Sequence, residues 1–175
     1  EGSNLVITGR NEARLLKAKK KLEEGYGVKV LALVADGADE VKIKEVIAKT
    51  VDTFGKINTL INNAQTSKSG LSLIEHTKED FDLAINSGPY ATFFYMKEAF
   101  PYLKESKGSV INFASGAGLF GKLGQSSYAA AKEGIRGLSR VAAAEWGPDG
   151  VRVNIIAPLA MTESLTEWKE AYPEI

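Results

Sequence analysis

The chain has 175 residues, enough for one domain, or a piece of a slightly larger one, at about 150 residues per domain. Its 22 Lys and Arg balance 22 Asp and Glu for a formal charge of zero, which argues against a polyanion-binding surface and so against nucleic acid as a partner. With 44% hydrophobic and 25% charged residues the composition is globular, and disorder or fibrous repeats are excluded. The absence of cysteine removes disulfides, thiolate nucleophiles and sulfur-rich metal sites together, and fits a reducing, cytoplasmic setting. The longest uninterrupted apolar run, residues 30–35, falls far short of the roughly 18 that a membrane span needs.

In chain order, apolar runs of strand length alternate with longer segments of helical spacing. Strands are expected at residues 4–8, 28–33, 57–61, 109–114 and 151–157, apolar on both faces as in a buried parallel sheet. Leu15, Leu16 and Leu22 mark a Lys-rich helix after the first, and Ile43, Val46, Ile47, Val51 and Phe54 recur every three or four residues after the second. Two more helices are expected, over 81–103 and 126–146. With right-handed crossovers this predicts an α/β fold: a doubly wound parallel sheet in a three-layer αβα sandwich, a single partial domain over 1–175. The chain opens directly on a strand and closes in a helical region, so it reads as an interior segment of a longer chain, incomplete at both ends.

The most informative stretch is 109–137. A strand ends at Ala114 and Ser115, a loop with Gly116, Gly118, Gly121 and Gly124 follows, and a helix begins near Ser126. Tyr128 and Lys132 lie four residues apart, on one helical face, so the ammonium can approach the phenol. Poising a phenol at neutral pH requires a shift of about 3 units, roughly 4 kcal/mol. One cation at about 5 Å supplies roughly 3 kcal/mol at an effective dielectric of about 20. Lysine alone falls a little short, and a second positive charge nearby can supply the rest.

The Tyr-x-x-x-Lys helix, with Ser115 thirteen residues before Tyr128, resembles the short-chain dehydrogenase/reductases, and more closely their 3-oxoacyl-carrier-protein-reductase-like branch. Five further matches fall in the family's order. Asn62-Asn63-Ala64 resembles the Asn-Asn-Ala-Gly motif beside the adenosine ribose, with Gln65 in place of glycine, a residue that resists positive φ. Asn86 resembles the helix asparagine that holds a water bonded to the active-site lysine. Asp36 resembles the aspartate that accepts from the adenine amino group. Arg10 follows Gly9, where relatives that use NAD carry an acidic residue; a cation there suits a 2′-phosphate. Arg152-Val153-Asn154 to Pro158 resembles the strand that ends beside the nicotinamide, with Leu159 for the usual glycine and Thr162 within reach of the carboxamide.

The resemblance implies a Rossmann-like fold whose opening strand and glycine-rich pyrophosphate turn lie before Glu1, and whose last helix and strand lie after Ile175. It implies an oxidoreductase that moves hydride between NADP, with NAD as the alternative, and a small-molecule carbonyl or secondary alcohol. Tyr128 is then the proton donor or acceptor, Ser115 a hydrogen-bond donor to the substrate oxygen, Lys132 the tuning cation and ribose ligand, and Asn86 the proton relay. Arg10, Asp36, Asn62, Ala64 and Thr162 are the further cofactor contacts. Packing of the aromatic-rich helix (Phe93, Phe94, Tyr95, Phe100, Tyr102) and the Tyr128 helix against a second copy implies a homotetramer or homodimer.

Plainer roles stand beside these. Ser115 can cap a turn, Asp36-Gly37 can form a strand-to-helix turn, and Arg10-Asn11 can cap a helix. Asn86 can satisfy its own helix, Asn62 and Asn154 can tie strands, and His76, the lone histidine, reads as a surface residue. A scaffold that binds nucleotide without turnover is the alternative from another functional class, and an enoyl reductase is disfavoured by the Tyr–Lys spacing.

Overall fold

The computed structural model describes residues 2–158, 166 and 169–171. Five parallel strands alternate with helices: β1 (Leu5–Gly9), α1 (Glu12–Tyr26), β2 (Val30–Val34), α2 (Glu40–Phe54), β3 (Thr59–Asn62), α3 (Lys78–Ile85), α4 (Ala91–Ser106), β4 (Ser109–Phe113), α5 (Gly116–Phe120), α6 (Ser126–Trp146) and β5 (Arg152–Ile156). Helix starts follow the expected chemistry. Asn11 accepts from the Arg14 N–H, Asp39 from those of Val41 and Lys42, and Thr77 shares a reciprocal capping box with Asp80, satisfying N–H groups that have no partner within the helix. α1 and α2 both stop at a glycine in the left-handed region, Gly27 (φ 62°) and Gly55 (φ 75°).

Strand β1 pairs with β2, and β3, β4 and β5 pair in that order, so the described strands form a two-stranded and a three-stranded sheet where one sheet was expected. Each of β1 and β3 keeps one edge unpaired among the described residues. Val34 of β2 and Ile61 of β3 are exposed, against the expectation of strands buried on both faces. Helix α1 packs on β1 and β2, while α2, α4 and α6 share one core with β4, the helix layers of a doubly wound α/β fold with right-handed crossovers. The core lies under the three-helix face: Ile47 of α2, Met96, Ala99 and Leu103 of α4, Val110 of β4 and Ala142 of α6 pack with Ile57 and Val151.

Two expected segments came out differently. The single helix over 81–103 is broken: Asn86–Tyr90 form a π-helical turn in which the Ala91 N–H reaches back to the Asn86 carbonyl. Pro89 has no N–H to donate, so the regular ladder cannot run through this turn. The glycine-rich loop after Ser115 contains the short helix α5. Nor is α4 apolar and buried all round: Ala91, Thr92, Met96, Ala99 and Leu103 face inward, while Tyr90 in the π turn and Phe93 are exposed.

Candidate active site

The parallel sheet directs the C-terminal ends of β3 and β4 to the same edge of the molecule, where ligands bind in open α/β sheets. Register places Asn62 opposite Asn112, so the segments that carry Gln65 and Ser115 leave the sheet at the same edge. The loop after β3 is closed onto the start of α6: the Gly70 N–H donates to the Gly124 carbonyl (2.8 Å), and Leu71 bridges Gln125.

Ser115 is the N-cap of α5, its backbone extended (φ −154°, ψ 146°), and Oγ accepts from the Ala117 N–H at 3.2 Å. The capping role expected as the plainer alternative is therefore real. It has a chemical consequence, because an Oγ engaged as acceptor keeps its proton to donate. On α6, Lys132 is 4% exposed; its Nζ donates to the Phe113 carbonyl at 2.8 Å and lies 5.5 Å from the centre of the Tyr128 ring. Lys132, with Tyr128 beside it, is thus held at Phe113, the end of β4, two residues before Ser115 in the chain. Burial lowers the Lys132 pKa to about 8, since desolvation disfavours the charged form, and the amine remains largely protonated at neutral pH.

Asn86 opens the π-helical turn, and its side chain is exposed with no hydrogen bond among the described residues. It lies on the helical segment that packs on α6, where a Cβ at Gly134 would sit 3.2 Å from Pro89 Cγ. Asp36 Oδ1 accepts from the Ala38 N–H at 3.0 Å, the turn expected as its plainer role, with Oδ2 pointing to no described donor. Arg10 extends from the end of β1 to Thr66 Oγ1 (3.4 Å) and lines a cleft with Gly9, Asn11 and Arg14. Two guanidinium groups beside the first turn of the 15-residue helix α1 form a donor set suited to a phosphate, so these residues fit a phosphate-bearing dinucleotide. Asn62 Nδ2 donates to Asn112 Oδ1 at 2.8 Å, a tie between β3 and β4. Asn154 is exposed and makes no such tie among the described residues. Ala64 is exposed in the loop after β3, and Thr162 lies outside the described residues.

Three features were not anticipated. The Phe113 carbonyl that holds Lys132 is backbone and leaves no mark in the sequence. Gln65 takes no positive φ, for Lys107 is the one non-glycine with positive φ among the described residues. Its side chain occupies the space over Gly88, where an added Cβ would lie 3.0 Å from Gln65 Cδ, with both amide atoms buried and unpartnered. His76 is half-buried rather than fully on the surface: Nδ1 lies 3.1 Å from the Ser72 carbonyl and the ring meets Phe81 edge-on.

The family model described as short chain dehydrogenase matches residues 1–172. A 12alpha-hydroxysteroid dehydrogenase of Clostridium sp. is 61% identical over 178 aligned positions, covering 99% of this chain and 69% of that protein. A 3-oxoacyl-[acyl-carrier-protein] reductase of Thermotoga maritima is 36% identical over 93% of this chain and 68% of its own. Among solved structures, levodione reductase superposes with a TM-score of 0.90 at 31% identity, over 98% of this chain and 68% of that one. The chain therefore spans about two thirds of the length of these relatives. Its parallel strands, its Ser–Tyr–Lys spacing and these similarities together place it in the short-chain dehydrogenase/reductase family, as an NAD(P)-dependent oxidoreductase acting on CH–OH and C=O groups.

Proposed function

We propose that Tyr128 is the general acid/base of this oxidoreductase and that the substrate is a hydroxysteroid or a comparably rigid, apolar secondary alcohol or its ketone. The single observation behind the site assignment is the buried Lys132 ammonium, fixed on the Phe113 carbonyl beneath the Tyr128 ring. With that ammonium beside its ring, Tyr128 takes the hydroxyl proton in oxidation and returns it in reduction. Ser115, with Oγ already accepting from Ala117, donates to the substrate oxygen and steadies the charge that develops there. Lys132 also holds the nicotinamide ribose and Asn86 passes the proton onward. Bound NADP or NAD supplies the hydride acceptor or donor at the nicotinamide; the chain supplies orientation and field.

The substrate class rests on the 61% identical hydroxysteroid dehydrogenase and on Leu119, Phe120 and Leu123. These are exposed apolar side chains between Ser115 and Tyr128, suited to an apolar ring system. The full-length gene product should turn over a 12-hydroxy or 12-oxo steroid with nicotinamide cofactor faster than a 3-oxoacyl thioester or a short-chain alcohol. Tyr128→Phe should lower kcat by about 10²-fold or more; an unchanged rate would remove the proton donor from the mechanism.

NADP is the preferred cofactor in this reading, supported by Arg10 and Arg14 at the cleft beside β1, with Asp36, Asn62, Ala64 and Thr162 as further contacts. Arg10→Ala should weaken NADP about tenfold or more, the worth of one hydrogen bond to a charged group, and NAD by much less. Equal losses, read by fluorescence titration, would refute the phosphate contact. The scaffold alternative loses one motive, because Gln65 sits without strained backbone. No described helix is long and apolar enough to cross a membrane. A cytoplasmic homotetramer or homodimer, of which residues 1–175 form part of one nucleotide-binding domain, completes the reading.

A further inference from the structure

Asn112 takes no part in the chemistry above, yet it is 0% exposed in a strand that is otherwise apolar at its centre. Its carboxamide reaches three other elements. Oδ1 accepts from Asn62 Nδ2 of β3 at 2.8 Å, and Nδ2 donates to Ser139 Oγ of α6 at 2.8 Å and to Met96 Sδ of α4 at 3.3 Å. Ser139 is 1% exposed and donates in turn to the Ile135 carbonyl at 2.6 Å. Both amide protons and the serine hydroxyl are thus engaged, so the network is worth more to the fold satisfied than its apolar surroundings would predict.

The next residue along β4, Phe113, accepts the Lys132 ammonium. Helix α6 is therefore gripped by two consecutive residues of one strand, through the side chain of Asn112 and the backbone of Phe113. The two grip points on α6, Lys132 and Ser139, are seven residues apart, two turns along one face, or about 10 Å along the axis. Two anchors that far apart fix both the rotation of α6 and its slide over β4. Apolar packing alone is non-directional and sets neither sharply. Ser115 follows two residues after Phe113 on the strand side, while Tyr128 and Lys132 ride on the helix, so their mutual placement is the docking of α6 on β4.

We propose that Asn112 and Ser139 are positioning residues of the reaction: the buried amide–hydroxyl bond holds the Tyr128–Lys132 helix in register with Ser115. The proposal rests on the reading of Ser115, Tyr128 and Lys132 as the reacting cluster. Its test is Ser139→Ala in the full-length gene product. That change removes the anchor with the loss of a single oxygen and a gain in helix propensity, so the variant retains the fold. A misplacement near 1 Å can cost about 10²-fold, and a partial slip should lower kcat per folded active site about tenfold, while NADP, held also by contacts off α6, weakens by much less than kcat falls. The folded fraction is counted by circular dichroism and cofactor titration. The proposal is overturned if kcat per folded site equals that of the parent, or if NADP binding weakens as much as kcat falls, which is the mark of general loosening. Tyr128→Phe is measured in parallel. If it keeps the parent rate, the catalytic reading itself fails; if it is inactive while Ser139→Ala is unaffected, only the positioning role fails.

Discussion

Lys132 meets opposing demands. Its proposed role requires a positive charge near Tyr128, and its burial disfavours that charge, lowering its pKa from 10.5 to about 8. At neutral pH charge prevails, helped by the Phe113 carbonyl. Between pH 8 and 10.5 the unfolded chain binds a proton that the native protein has released, so stability rises with pH in that window because of this residue. The difference in unfolding free energy between parent and Lys132→Met should therefore grow in the parent's favour by about 3 kcal/mol from pH 8 to 10.5. Urea unfolding at a series of pH values checks it, and a difference flat across the window would show that the amine is not desolvated. The identity of Lys132 was legible in the sequence, from its spacing to Tyr128; its partner was not, since any residue type carries a carbonyl.

At the scale of elements, the turn from α4 to β4 is the tightest junction described. Lys107 takes the left-handed conformation (φ 49°) to end the helix, and the Gly108 N–H returns to the Leu103 carbonyl at 2.8 Å. A Cβ at Gly108 would lie 2.6 Å from the Asn58 carbonyl oxygen, a backbone atom with nowhere to retreat. Gly108→Ala should cost about 2–3 kcal/mol. Lys107→Gly should stabilise by about 1 kcal/mol, since glycine alone adopts that conformation without penalty. Thermal unfolding of the two variants reads both signs, and a stabilising Gly108→Ala would contradict the contact. The helix start at Asn11 was readable because capping is local chemistry; the caps at Asp39 and Thr77 emerged only in the structure. The break at Asn86–Tyr90 was missed because apolar periodicity runs through Pro89 unchanged, and α5 because Gly116–Phe120 has the composition of a loop.

Across the whole molecule, α4 and α6 leave an apolar groove lined by Phe93, Phe100, Val141 and Trp146, with the Phe100 and Trp146 rings 4.6 Å apart. Val141 is 55% exposed, a costly position for an aliphatic side chain that a second copy of α4 and α6 would cover. Val141→Arg should convert the proposed dimer or tetramer to monomer in sedimentation velocity, through the bulk and desolvation cost of a charged side chain in the seam, which the neighbouring Glu145 only partly offsets. A parent that already sediments as a monomer would end this assignment.

The amino-acid sequence by itself determined the alternation of strands and helices, the spacing of Ser115, Tyr128 and Lys132, and the family these imply, because periodicity, capping and one-turn spacing are short-range properties. Only the tertiary structure decided that the lysine is buried on a strand carbonyl, that Gln65 fills the space over Gly88, and that Asn112 and Ser139 join β4 to α6. Those relations pair residues far apart in the chain, and their energies depend on burial and distance, which exist only once the layers have packed.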